Sequence, residues 1–224
     1  MSPNAPARLA RACLLGEIAG ASIGVVGAAY LAVLGAWLLL SGTPSEPIGD
    51  PYLLCMEGLT ILSALSLAGL VLAVFRLSYP RHPSTACAAL LTGSAAALTT
   101  VAVHFVQLTA VRALWRAGEI ADYRLVWPSA LFAVEYLAWD VLVGATLLLV
   151  SAALVGAALG RWGHGALRLG GVLCLLGALG PVTGHMALQI VGLVGYGVIL
   201  PIAAVALAVF FRRRRAEEAQ PTKG

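Results

Sequence analysis

The sequence predicts an all-α, polytopic membrane protein: a bundle of six transmembrane helices. Three observations predict it. The 224 residues are 60% hydrophobic and 11% charged, with a mean hydropathy of +0.93, more apolar surface than a water-soluble domain of this length buries. Apolar runs recur six times along the chain, all but the short fifth long enough to cross a bilayer. The basic residues are nearly all arginine and sit at the ends of those runs, where they set topology. The net charge of +4 therefore gives no signal for nucleic acid.

Residues 1–16 read as a short tail carrying Arg8 and Arg11. The first span covers about 17–40. Its apolar run, roughly 24 residues against the 7–15 of a signal peptide, argues for retention as a membrane helix. Gly16, Gly20 and Gly24 recur every fourth position with Gly27 close by, a small-residue stripe that lets another helix approach. Glu17 falls in the expected first turn, where a carboxylate suits the helix dipole. Residues 41–52 form a polar, turn-rich loop without Lys or Arg.

The second span, about 53–75, carries Glu57. A basic loop over 76–85 leads to the third span, about 86–111. There Thr100, His104 and Gln107 stand at i, i+4 and i+7 and share a face. Residues 112–127 contain Arg112, Arg116, Arg124, Trp115, Tyr123 and Trp127. They either extend the third helix or lie along the membrane surface. Trp127-Pro128, an interfacial aromatic before a helix-starting proline, opens the fourth span, about 129–154. The fifth span, about 166–179, is short and glycine-rich, with a turn at Pro181 and Gly184. The sixth, about 185–211, carries Gln189 and a kink at Pro201. Residues 212–224 form a basic tail, so 17–211 make one membrane domain.

Six spans put both termini on one side. That side holds Arg8, Arg11, Arg76, Arg81, Arg161, Arg168, Arg212 to Arg215 and Lys223, eleven in all, against Arg112, Arg116 and Arg124 on the other. The positive-inside rule then places both ends in the cytoplasm of a cell-membrane protein. Each even-numbered helix pairs a proline with a polar residue six to eight positions later (Pro51–Glu57, Pro128–Glu135, Pro181–Gln189). In a chain this rich in Ala, Gly and Leu, chance is the preferred account over a repeated hairpin. Cys13, Cys55, Cys87 and Cys174 show no CxxC spacing, so neither a disulfide framework nor a metal site is expected.

Chemistry is expected in the outer half of the membrane. At about 1.5 Å per residue, Glu57, Gln107, Glu135 and Gln189 lie roughly 6–9 Å deep, His104 about 12 Å and Asp140 about 16 Å. A carboxylate at mid-span costs about 2.5–3.5 kcal/mol on insertion scales, and the fourth span carries two. On an α-helix they differ by about 140° in direction. Asp140 then shares a face with Tyr136 and Gly144, and Glu135 with Phe132 and Trp139. Arg112 is the obvious structural partner for Glu135, which leaves Asp140 as the expected chemical group. Taken singly, Glu57 reads as an interfacial cap and His104 as a satisfied core histidine. Their convergence in depth from separate helices favours a shared polar cavity.

No P-loop, GxGxxG, HExxH, intramembrane GxSG or DDxxD-type run is present, and no metal or cofactor is expected. Buried acids, a histidine, the amides Gln107 and Gln189, and the aromatics Trp127, Phe132, Tyr136 and Trp139 suit proton-initiated chemistry on a lipophilic substrate. A carboxylic acid held neutral by an apolar wall acts as general acid, His104 or Gln107 orients its proton, and aromatic faces stabilise a passing cation.

In overall size, in the acid early in the second span (CMEGLT, Glu57) and in the acid of the fourth span (EYLAWD, Asp140), the chain resembles the small bacterial membrane-bound terpene cyclases of meroterpenoid and drimentine-type pathways. The resemblance implies metal-independent cyclisation of a farnesyl or epoxyfarnesyl chain on a lipophilic prenylated molecule, without loss of diphosphate, with Glu57 and Asp140 essential. The ending GYGVILPIAAVALAVFFRR is also similar to uncharacterised small bacterial membrane proteins. Two other classes stay open. A proton-coupled transporter would use the same acids, but a polar set confined to the outer half gives no alternating access. A non-catalytic membrane subunit would pair every acid and line no cavity.

Overall fold

The computed structural model describes residues 5–40, 48–116 and 127–219. Six helices among them are long and apolar enough to cross a membrane: α1 (Ala5–Leu40), α2 (Tyr52–Ser78), α3 (Pro83–Leu114), α4 (Ala130–Ala153), α5 (Gly160–Thr183) and α6 (Met186–Glu218). Each helix packs on its neighbour in sequence, and α6 returns against α1, so the bundle closes as an up-and-down ring. Ile18, Val25, Leu91 and Leu98 stand exposed on its outside, as a lipid-facing surface requires.

Helix–helix association in lipid rests on close packing rather than on the hydrophobic effect. The glycine stripe of α1 supplies it against α6: Gly16 faces Phe211, Gly20 the backbone at Ala204, Gly24 Val205 and Gly27 Pro201. A Cβ at Gly20 would sit 2.5 Å from the Ala204 carbonyl oxygen. Polar pairs add hydrogen bonds across other seams, Ser22–Ser66 at 2.9 Å between α1 and α2 and Thr146–Thr92 at 2.9 Å between α4 and α3. Between them lies an apolar core that includes Leu67, Val71, Leu147, Leu200 and Leu207.

The helices outrun their expected bounds. α1 begins at Ala5, so residues 5–16 are helix rather than tail. Glu17 is thus well inside α1, and its partner is Arg215, at 2.8 Å, rather than the helix dipole. The third helix runs on through Arg112–Arg116; the rest of the expected surface segment, with Tyr123 and Arg124, lies outside the described residues, as do the side chains of Trp115 and Arg116. α5 starts at Gly160 and includes Pro181, so that proline ends a helix rather than opening the sixth; Gly184, at φ +76°, makes the turn. The last helix continues to Ala219, because its arginines stop the apolar run without breaking helical geometry.

Three helices contain π-helical turns: Gln107–Val111 in α3, Leu137–Val143 in α4 and Gly195–Ile199 in α6. The last precedes Pro201, whose ring and missing N–H exclude the ordinary bond to the carbonyl four residues back. It stands where the sequence placed a kink. All three lie at or beside the buried polar residues, which is where such turns concentrate.

Candidate functional site

The end of the bundle away from the termini holds a buried polar cluster: Glu57, His104, Gln107, Glu135, Asp140 and Gln189 are all buried. Ser129 caps α4 by accepting the Phe132 N–H at 3.1 Å, which fixes the start of the helix that carries both acids. His104 stands between two carboxylates. Its Nδ1 meets Glu57 Oε2 and its Nε2 lies 2.8 Å from Glu135 Oε1. The Trp139 indole N–H donates to the same Glu135 oxygen at 2.6 Å, one helical turn on. One imidazole thus ties α2 to α4 through α3.

Asp140 forms a second station. Gln189 Nε2 donates to its Oδ2 at 2.9 Å, joining α4 to α6, and Asp140 is fully buried at 0% exposure. Gly177 and Gly192 close over it: a Cβ at Gly177 would fall 3.1 Å from Oδ1, and one at Gly192 3.1 Å from the carboxyl carbon. A π turn over Leu137–Val143 carries Asp140, and the two acids reach different partners: Glu135 meets His104 and Trp139, whereas Asp140 meets Gln189.

The expected pairing of Arg112 with Glu135 is overturned. Arg112 reaches away from the cluster to Asp50, with Nε 3.1 Å from Oδ2. Among the described residues the carboxylates of the cluster are met by imidazole, indole and amide rather than by guanidinium. Among the described residues no group of His, Cys, Asp and Glu is arranged to hold a metal ion; both nitrogens of His104 already face carboxylates.

Aromatic rings flank the cluster. Trp127 and Phe132 lie 6.1 and 4.4 Å from Tyr136, centroid to centroid, and Trp139 lies 5.4 Å from Tyr196. Gln107 is buried beside the cluster with its carbonyl oxygen unpaired, as are Glu135 Oε2 and Asp140 Oδ1. Buried acceptors without partners are rare in folded proteins, and each calls for an explanation. Two residues at the site were not singled out in the sequence. Tyr196 packs against Trp139, and Tyr30 of α1 lies near Glu57 and Glu135 without a hydrogen bond to either that the structure records. Tyr196 was findable, seven residues after Gln189 and so on its face. Tyr30 lies about 15 Å from the end of α1, a depth similar to that of His104.

No protein-family model, curated protein or solved structure matches this chain. The functional reading rests on the geometry of the cluster.

Proposed function

We propose that the protein is a membrane-embedded cyclase that protonates and closes a prenyl chain carried by a lipophilic molecule. The observation that carries this reading is the single imidazole bridging two buried glutamates beside a wall of aromatic rings. In the donor state His104 is an imidazolium, giving one N–H to Glu57 Oε2 and the other to Glu135 Oε1. The acid proton of Glu57 rides on its free Oε1. One cation, one carboxylate and one neutral acid leave the cluster with no net charge, as a low-dielectric interior demands.

The reaction balances without a co-reactant. Glu57 Oε1 gives its proton to a terminal alkene, the cation is captured by a second double bond as a carbon–carbon bond forms, and Glu135 removes a proton from the final cation. Rings such as Phe132 and Tyr136 stabilise the intermediates by their negative faces. The cluster resets by exchange with water between turnovers: Glu135 loses the proton it has taken and Glu57 regains one on Oε1, while the imidazolium keeps both of its N–H groups facing the two glutamates. The product is an isomer of the substrate. Asp140, held by Gln189 and enclosed by two glycines, is in this scheme a neutral acid beside the cluster rather than the proton donor.

The buried core argues against the transporter alternative. Leu67, Val71, Leu147, Leu200 and Leu207 separate the acid cluster from the end of the bundle that holds the termini, so no continuous polar path joins the two ends among the described residues. The test is conversion of farnesylated aromatic or indole substrates, with and without a terminal epoxide, by membranes containing the protein. The expected result is a product of unchanged mass and altered retention, reduced on the order of 100-fold or more in Glu57→Gln. Full conversion by that variant removes Glu57 from the chemistry. No conversion of any substrate, with proton-coupled uptake by liposomes instead, would replace the cyclase by the transporter.

A further inference from the structure

The opposite end of the bundle, where both termini lie, carries an open basin of about 1230 Å³. Six arginines line it, Arg8 and Arg11 from α1, Arg76 at the end of α2, Arg81 from the loop that follows, and Arg213 and Arg214 from α6, against a single acidic residue, Glu217. Glu217 is held by Arg214 at 3.4 Å. Among the described residues, no carboxylate pairs with Arg8, Arg11, Arg76, Arg81 or Arg213. Topology alone asks only that arginines sit on one side of the membrane. It does not ask that those from three helices and a loop surround one depression, where their mutual repulsion is unrelieved. The wall beneath them is apolar, with Leu154 and Phe210 buried.

A guanidinium fork matches phosphate oxygens in pairs, and an apolar wall beneath such a rim suits an attached hydrocarbon chain. We infer that this basin binds the phosphate group of an anionic amphiphile at the membrane surface. The site lies across the apolar core from the acid cluster and does not depend on its chemistry.

The test uses the full chain in nanodiscs of phosphatidylcholine, with and without phosphatidic acid, and counts retained lipid by native mass spectrometry. Phosphatidic acid should be retained on the order of tenfold over phosphatidylcholine, and the preference should vanish in Arg76→Gln/Arg81→Gln/Arg213→Gln. Arg161→Gln, an exposed arginine outside the basin, should keep it. Substitution of exposed, unpaired side chains leaves the core intact. Should the triple variant nonetheless fail to fold, Arg81→Gln alone should lose roughly threefold. A parallel arm adds inorganic pyrophosphate to the nanodiscs that contain phosphatidic acid. Displacement of bound phosphatidic acid by pyrophosphate shows that the phosphate is recognised whatever its source; retention of the lipid alone assigns the site to a headgroup with its chains. Binding of neither overturns the inference, and so does an equal loss in Arg161→Gln, which would reduce the effect to diffuse surface charge.

Discussion

Replacing His104 by leucine tests whether one imidazole holds the acid cluster together. Two bonds are lost at once, to Glu57 and to Glu135. Glu57 keeps no other side-chain partner that the structure records, whereas Glu135 keeps the Trp139 indole. A hydrogen bond to a charged group contributes about 1.5–3 kcal/mol, so the pair is worth about 3–6 kcal/mol. For a chain of this size, 1 kcal/mol moves Tm by about 2–4 °C, giving a fall on the order of 10 °C or more. Thermal unfolding in nanodiscs, read by tryptophan emission, measures it.

The sign should then reverse. Burying an ionic network costs desolvation, and its replacement by apolar groups is often neutral or stabilising. Glu57→Met/His104→Leu/Glu135→Gln, which leaves the Trp139 N–H an acceptor, should return to within about 1 kcal/mol of wild type while losing all activity. An unchanged Tm in His104→Leu, or a triple variant less stable than the single one, would refute the reasoning.

Three further outcomes follow from the same structure. Gly20→Val places a side chain against the fixed Ala204 carbonyl and should cost about 1–3 kcal/mol by opening the α1–α6 seam, whereas Gly35→Ala, with nothing within 4 Å of the added carbon, should be neutral or stabilising; paired melting curves compare them. Asp140→Asn preserves an acceptor for Gln189 and should lower product formation by roughly tenfold, well short of the loss in Glu57→Gln; equal losses, measured as initial rates, would move the proton donor to Asp140. Arg112→Gln breaks only the partly exposed pair with Asp50 and should shift stability by less than about 1 kcal/mol with conversion intact, a result that a hidden link to Glu135 would not allow.

The six-helix bundle was legible because each apolar run carries its own signal: length, hydropathy and flanking arginines. So was the α1 stripe, whose spacing by four marks a close approach whichever helix makes it. Helix ends were less legible. Arg8, Arg11 and the arginines after Phe211 end apolar character, but they are good helix formers and do not end the helix. At the site, depth alone brought Glu57, His104 and Glu135 to one level, but depth does not fix direction. Glu135 and Asp140 reach different partners, but the π turn at Leu137–Val143 that carries Asp140 has no sequence signature comparable to proline or glycine. Arg112 was assigned to Glu135 by nearness along neighbouring spans, whereas its actual partner, Asp50, sits in a loop that carries no periodicity to read.

The most direct measurement of the central claim is deuterium counting in the cyclised product formed in D₂O. If Glu57 starts the reaction by protonating an alkene, the product is an isomer carrying one carbon-bound deuteron that survives exchange back into H₂O, and Glu57→Gln forms neither the product nor the label. With the alkene substrate, a wild-type product that gains no carbon-bound deuteron, or a Glu57→Gln variant that still labels at the wild-type rate, contradicts a proton delivered from the Glu57–His104–Glu135 cluster.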